Sequence, residues 1–279
     1  MKYIEGGMHM LLKDKVAIVT GGTRGIGYEV VRKYLQNGAK VVLFGSREET
    51  VDKAIFKLRD EDVTWEVEGM CPKLTDPAEV EDAVLKVYKK FGRIDILVNN
   101  AGISQSTSIY DYKVEDFDKI IDLNVKALFY TILPTVKIMK VQGGGCIINT
   151  SSMVSISGQP SGVGYPTSKF AVSGMTLSLA RELGRDNIRV NAVAPGVTKT
   201  DMVASLPPEM VERISAKIPL GRPGEPEEVA NAFLFLASDL ANYATTAEMN
   251  TALSAKADSS ALNSLATKTE LNAKQDSLT

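Results

Sequence analysis

Thr20-Gly21-Gly22-Thr23-Arg24-Gly25-Ile26-Gly27 decides the fold. The stretch follows a short apolar run, Val16 to Val19, and opens a helical pattern from Gly25 to Gln36 that Asn37-Gly38 ends. Strand, glycine turn and helix start together make a phosphate cradle. Glycines let the backbone approach a pyrophosphate, and the helix N-terminus supplies free N–H groups and partial positive charge. A tight glycine turn with no ligand has the same spelling, so context must separate the two. Placement directly after the first buried strand of an alternating chain favours phosphate.

The rest of the chain has that alternation. Short apolar runs alternate with longer helical patterns, which predicts stacked βαβ units and a parallel sheet. Strands are expected at Val16 to Val19, Lys40 to Phe44, Thr64 to Gly69, Ile94 to Val98, Cys146 to Asn149 and Arg189 to Ala194. Helices are expected at Gly25 to Gln36, after Asp76 to Phe91, at Val114 to Met139, Tyr165 to Leu183 and Pro226 to Leu240. Another opens at Ser46-Arg47-Glu48-Glu49, a capping-box spelling.

An NAD site carries an acid near the end of the second strand for the ribose 2′-hydroxyl. Here that place reads Phe44-Gly45-Ser46-Arg47. Arg47 can pair with a 2′-phosphate in fork geometry, and Arg24 can face the same phosphate. Glu48 and Glu49 suit the first turn of a helix, by its dipole, better than a ribose. The expected cofactor is therefore NADP(H) ahead of NAD(H). The plain alternative is that Ser46 caps a helix and Arg47 is solvated.

Tyr165 and Lys169 stand four apart and share one helix face. A phenol is a poor acid–base group near neutral pH, and a cation one turn away is expected to lower its pKa. Ser152 follows the strand Cys146 to Asn149, so it lies at the C-terminal edge of the sheet, where open α/β folds bind ligands. Ser151 competes for the same role. Asn124 interrupts an apolar stripe of Phe117, Ile120, Ile121 and Leu128. A buried amide must be hydrogen-bonded. Asn124 therefore either binds neighbouring backbone or holds a water behind the site.

Length and composition are consistent with one sizeable domain: 279 residues, 44% hydrophobic, net charge -2. Mixed charges argue against a nucleic-acid partner. The two cysteines, Cys71 and Cys146, make no disulfide framework. No run is apolar and long enough to span a bilayer, and the start lacks a signal-peptide core. A cytoplasmic protein acting on a small molecule is expected, with no membrane partner and no metal. From about Ala244 to Thr279 the character changes. Gly, Pro and aromatic residues vanish, and Ala255-Lys256-Ala257-Asp258-Ser259 returns as Ala273-Lys274-Gln275-Asp276-Ser277. This reads as a low-complexity, partly helical tail, 244–279, behind a domain spanning 1–243, either fibre-like or a fusion.

Taken together, these stretches resemble the short-chain dehydrogenase/reductase family over about Leu11 to Tyr243. The resemblance rests on the glycine turn, Asn99-Asn100-Ala101-Gly102, Ser152, Tyr165-Pro166-Thr167-Ser168-Lys169 and Pro195-Gly196-Val197-Thr198-Lys199-Thr200-Asp201. It implies a Rossmann-like, doubly wound parallel sheet of seven strands and a tetrad of Asn124, Ser152, Tyr165 and Lys169. In that pattern Tyr165 protonates a carbonyl oxygen and Ser152 holds it. Lys169 grips the nicotinamide ribose and tunes Tyr165, and Asn124 holds a water linking Lys169 to solvent. Gly21, Thr23, Arg24, Gly25, Ile26, Gly27, Ser46 and Arg47 would hold the adenosine and pyrophosphate. Asn100, Ala101 and Gly102, with Asn99, would line the floor, and Pro195, Gly196 and Thr198 the nicotinamide end.

The implied activity is NADP(H)-dependent reduction of a carbonyl, or oxidation of a secondary alcohol. Ser161-Gly162-Val163-Gly164-Tyr165-Pro166 resembles bile-acid hydroxysteroid dehydrogenases. Pro219-Leu220-Gly221-Arg222-Pro223-Gly224 resembles 3-oxoacyl-carrier-protein reductases, although those often carry Asn where Gly164 stands. A homo-oligomer is implied too. The loop Val197 to Pro226, with Met202, Leu206, Met210 and Ile214, reads as a lid or as an amphipathic core segment.

Two departures stand out. Cys71-Pro72-Lys73-Leu74 replaces the acid expected beside adenine, and the final strand is replaced by the tail. The competing function is a non-catalytic dinucleotide-binding or tail-oligomerised module. A sugar-nucleotide epimerase fits less well, because the glycine spacing is G-x-x-x-G-x-G and no second substrate domain follows.

Overall fold

The computed structural model of the chain describes residues 10–204 and 208–242. The expected replacement of a final strand and the expected tail at 244–279, with its boundary at 243, concern residues outside those described. Leu206 and the side chains of Met202, Met210 and Ile214 also lie outside them.

Among the described residues, six strands form one sheet: β1 (Val16–Thr20), β2 (Lys40–Phe44), β3 (Val67–Met70), β4 (Ile96–Asn99), β5 (Gly145–Thr150) and β6 (Ile188–Val193). All neighbours pair in parallel, in the order β3-β2-β1-β4-β5-β6. Parallel neighbours need long crossovers, which the helices supply. These are α1 (Gly25–Gln36), α2 (Glu48–Glu61), α3 (Pro77–Phe91), α4 (Val114–Ile121), α5 (Ala127–Gln142), α6 (Val154–Ser157), α7 (Gly164–Leu183), α8 (Asp201–Ala204), α9 (Pro208–Ser215) and α10 (Pro226–Ala237). The order reverses between β1 and β4, and ligands of such folds bind outside the strand ends at that switch point.

Helices cover both faces, so the central strands are apolar throughout. Every residue of β1 is buried. One layer joins Val30, Val31 and Tyr34 of α1 to Leu58 of α2 and Phe233 of α10. The other joins Val80 and Val84 of α3 to Ile132 of α5 and Val172 of α7. Each such side chain contributes about 1.5–3 kcal/mol on burial. Polar bonds aim the helices: Tyr34 donates to the Phe233 carbonyl at 3.1 Å. Arg189 of β6 reaches back to the Leu236 carbonyl at 2.6 Å, satisfying the C-terminal end of α10.

Four local expectations are corrected. Thr64 is spent on a turn with the Asp62 carboxylate, so β3 begins at Val67. Ile94 bonds the Gln142 side chain through both its N–H and its carbonyl, so β4 begins at Ile96. The capping box at Ser46 does not form. The cap position is Arg47, with no side-chain cap bond, which leaves the Ser46 hydroxyl outside the helix. The long helix from Val114 is two helices joined by a π-turn at Asp122–Lys126, with Asn124 inside it.

Candidate active site

The glycine turn emerges from the end of β1. Gly21 has φ +65° and Gly25 φ +55°, backbone that side chains rarely adopt. A Cβ on Gly27 would fall 2.1 Å from the Gly21 carbonyl, so α1 can seat against the turn only with glycine there. The cap position of α1 is Arg24, which makes no side-chain cap bond, and the first turn holds no acid. That helix end is therefore free to receive an anion.

The facing wall comes from the end of β4. Asn100 donates its amide to the carbonyls of Thr20 and Gly21, each at 3.3 Å. The Thr20 hydroxyl accepts from the N–H groups of Asn100 and Ala101 at 3.0 and 3.1 Å. These bonds lock the two strand ends across the switch point. Asn99 ends β4 just before that wall. It is buried in a polar ladder, accepting from Thr131 at 2.6 Å and donating to Asn149 at 3.0 Å, while Asn149 donates to Thr176.

Arg47 and Ser46 are exposed where β2 ends, and Arg47 has no ion-pair partner among the described residues. Arg24 pairs with Asp201 of α8 at 3.1 Å, both side chains largely exposed. The strand-six loop is pinned beyond that point by the pairing of Thr198 with Gly224. Thr198 is buried, and Met153 donates its N–H to the Pro195 carbonyl at 3.0 Å. Lys73 donates its own N–H to the Glu79 carboxylate at 2.9 Å.

Tyr165 sits in the first turn of α7, half-buried, with the Ser152 side chain beside its phenol. Ser151 turns inward to Ser155, Ser173 and the Lys169 carbonyl, which leaves Ser152 as the serine at the phenol. Lys169 is buried and donates its ammonium to the Thr150 carbonyl at 2.7 Å. The Lys169 Nζ stands 5.7 Å from the centre of the Tyr165 ring.

The expected lowering of the Tyr165 pKa does not occur in this state. Burial pushes the phenol up, and the Ser152 bond only partly offsets that. The same burial lowers Lys169 to about 8, since a dry site disfavours its charge. The ammonium faces the ring and a carbonyl, so it is not bonded to the phenolic oxygen.

Asn124 is buried and spent on protein. Its Oδ1 accepts from the Ile103 N–H at 2.9 Å, and its amide donates to the Ile103 carbonyl at 2.8 Å and to Ser168 at 3.0 Å. These bonds make Asn124 a clamp on neighbouring backbone. Tyr112 and Asp201 were not picked out by pattern as site neighbours. Tyr112 has no periodic or motif signal, and Asp201 stands in the Pro195–Asp201 stretch without a role of its own; the fold brings them to Gly164 and Arg24.

Residues 15–210 match the short chain dehydrogenase family. The chain belongs to that family. This short-chain dehydrogenase is 63% identical over 238 residues to a 3alpha-hydroxysteroid dehydrogenase of Mediterraneibacter gnavus, covering 85% of this chain and 95% of that one. It is 42% identical over 236 residues to a 3-oxoacyl-acyl-carrier-protein reductase of Thermotoga maritima, again covering 85% and 95%. Among solved structures, that of gox2181 superposes with a TM-score of 0.80 at 34% identity, over 84% of this chain and 92% of that one. The family makes the chain an oxidoreductase using a nicotinamide dinucleotide. No helix among the described residues is long and apolar enough to cross a membrane.

Proposed function

We propose that the chain is an NADP(H)-dependent oxidoreductase acting on a hydroxysteroid or its 3-oxo form. The observation that carries the chemistry is the buried Lys169 ammonium against the Tyr165 ring, with Ser152 beside the phenol.

The uncapped N-terminus of α1 and the strained glycines fit a pyrophosphate. Gly21, Thr23, Gly25, Ile26 and Gly27 would hold it, with Asn100, Ala101 and Gly102 opposite and Pro195, Gly196 and Thr198 at the nicotinamide end. Arg47, Ser46 and Arg24 would hold a 2′-phosphate, which is the support for NADP(H) over NAD(H). When bound, the nicotinamide gives or takes the hydride.

The chain's own residues handle the oxygen and the proton. Ser152 donates a hydrogen bond to the substrate oxygen, holding it against the phenol. Tyr165 gives that oxygen its proton in reduction and takes it back in oxidation. A phenol raised by burial is protonated at neutral pH and so is ready to donate. Lys169, lowered to about 8, exchanges protons near neutral pH and is the group able to re-protonate the site. Asn124 fixes the loop from Ile103 and the α7 turn carrying Ser168, so it acts as a positioning residue.

The 63% identity to a hydroxysteroid dehydrogenase supports a steroid over an acyl thioester. Free Cys71 and Cys146 support a reducing compartment. Apolar side chains exposed on α5 and α7, Phe129, Leu133, Phe170 and Leu177, support association of copies. The test is NADPH consumption with a 3-oxo steroid or a short 3-oxoacyl thioester, with NADH beside it. Steroid turnover with NADPH is expected. Turnover of the thioester alone would overturn the substrate, and an NADH preference would overturn the cofactor.

A further inference from the structure

Gly164, the residue before Tyr165, is buried, and it is not a glycine for reasons of backbone, since its φ lies outside the left-handed region. What fills its side-chain space is another residue. A Cβ built on Gly164 would lie 2.3 Å from the Tyr112 hydroxyl oxygen. The next nearest atoms, on Ile120 and Phe117, stand at 3.3 Å, so the hydroxyl is the one true obstacle. Tyr112 is held there edge-on to the Phe117 ring, with centroids 6.5 Å apart.

That hydroxyl is also out of place energetically. Tyr112 Oη and Gln105 Oε1 are the two buried side-chain polar atoms without a hydrogen-bond partner among the described residues. Both belong to the loop between β4 and α4. An unpaired buried hydroxyl destabilises a fold, and deleting it is neutral or stabilising. The same loop is tied to the catalytic wall at three other points. Asn124 clamps Ile103, the Thr107 carbonyl accepts from the Gly162 N–H at 2.9 Å, and the Gln105 carbonyl accepts from Gln159 at 3.0 Å. Tyr112 is thus the last contact of a strap that ends on the first turn of α7.

We propose that Tyr112 is a positioning residue: its hydroxyl, seated in the side-chain space of Gly164, sets the pose of the α7 first turn and so of the Tyr165 phenol. This rests on the reading of Tyr165 as the proton donor. It also accounts for Gly164: with tyrosine at 112, a larger residue at 164 forces the tyrosine or the turn to shift.

The experiment is a cycle of Gly164→Ala, Tyr112→Phe and the double variant in the full chain. It reads melting temperature, kcat and KM with NADPH and a 3-oxo steroid, and the pH titration of the Tyr165 phenol by ultraviolet absorbance against Tyr165→Phe. Tyr112→Phe is expected to melt no lower than wild type yet to lose kcat, with KM for NADPH unchanged. Gly164→Ala should lose about 10²-fold in kcat, the scale of a misplacement near 1 Å. Tyr112→Phe removes the 2.3 Å clash and leaves contacts of 3.3 Å or more, so the double variant should regain the kcat of Tyr112→Phe alone. Additive losses would overturn the steric pair. Recovery of melting without recovery of kcat or of the phenol titration would overturn the positioning role. Should Gly164→Ala not fold, folding of the double variant still supports the pair, and its failure overturns it. If wild type turns over no steroid, the substrate reading fails, while melting and the phenol titration still decide this one.

Discussion

Lys169 stands over the Tyr165 ring, 5.7 Å from its centroid, and gives its hydrogen bond to the Thr150 carbonyl instead of the phenol. The pair is therefore poised by burial, which favours the neutral form of each: phenol raised, amine lowered to about 8. In the proposed mechanism the substrate oxygen arrives at Ser152 before the proton moves.

Replacing Tyr165 by Phe should remove turnover by about 10²–10⁴-fold, the usual share of a general acid. NADPH binding, followed by its fluorescence, should stay unchanged. Turnover within a few-fold of wild type would remove Tyr165 from the mechanism.

Burial of Lys169 has a stability signature. Its folded pKa, about 8, lies below its ordinary value of 10.5, so the unfolded chain binds the extra proton between those two pH values. The folded state is penalised below about 8, and the penalty fades as pH rises toward 10.5. Lys169→Met removes the penalty, so it should stabilise the chain at neutral pH while abolishing turnover. Urea midpoints should show its advantage over wild type shrinking by roughly 3 kcal/mol as pH rises across that window, at about 1.4 kcal/mol for each pH unit. An advantage independent of pH would contradict the desolvated ammonium.

Arg47→Ala should weaken NADPH by about 10–100-fold and leave NADH unchanged, since a hydrogen bond to a charged group is worth ~1.5–3 kcal/mol. Asp201→Asn should do the opposite in small measure, because Asp201 holds the Arg24 guanidinium that a 2′-phosphate would claim. Exposed pairs contribute about 0–1 kcal/mol, so the gain expected is only a few-fold. Titration calorimetry with both nucleotides separates these outcomes.

Asn124→Ala leaves the Ile103 N–H and carbonyl without their partner and leaves the Ser168 hydroxyl only its bond to the Tyr165 carbonyl. Each unpaired buried group costs about 1–3 kcal/mol, so a melting temperature lower by several degrees is expected, with kcat reduced. An unchanged melting temperature would contradict the clamp.

Much of this was legible in residues. Buried parallel strands spell themselves as continuous apolar runs, and β1, β2 and β5 lie within two residues of their expected bounds. The glycine turn and Tyr165-x-x-x-Lys169 are local spellings, so pattern finds them. The π-turn at Asp122–Lys126 was not legible, because a single widened turn barely disturbs a helical stripe. Thr64 and Ile94 carry strand-like side chains, yet partners at Asp62 and Gln142 claim their backbones. The occupant of the Gly164 space lies fifty-two residues upstream, and no periodicity links the two.

The pairing of β1 with β4, Ala17 against Ile96, also sets when the site can come into being. Almost eighty residues separate the two halves of the crevice, and α1, β2, α2, β3 and α3 lie between them. On a growing chain the glycine turn emerges early and must wait for its opposite wall. Contacts this distant in sequence form slowly. The nucleotide crevice is therefore complete only when that pairing is, and a chain that binds dinucleotide reports that its central pairing has formed.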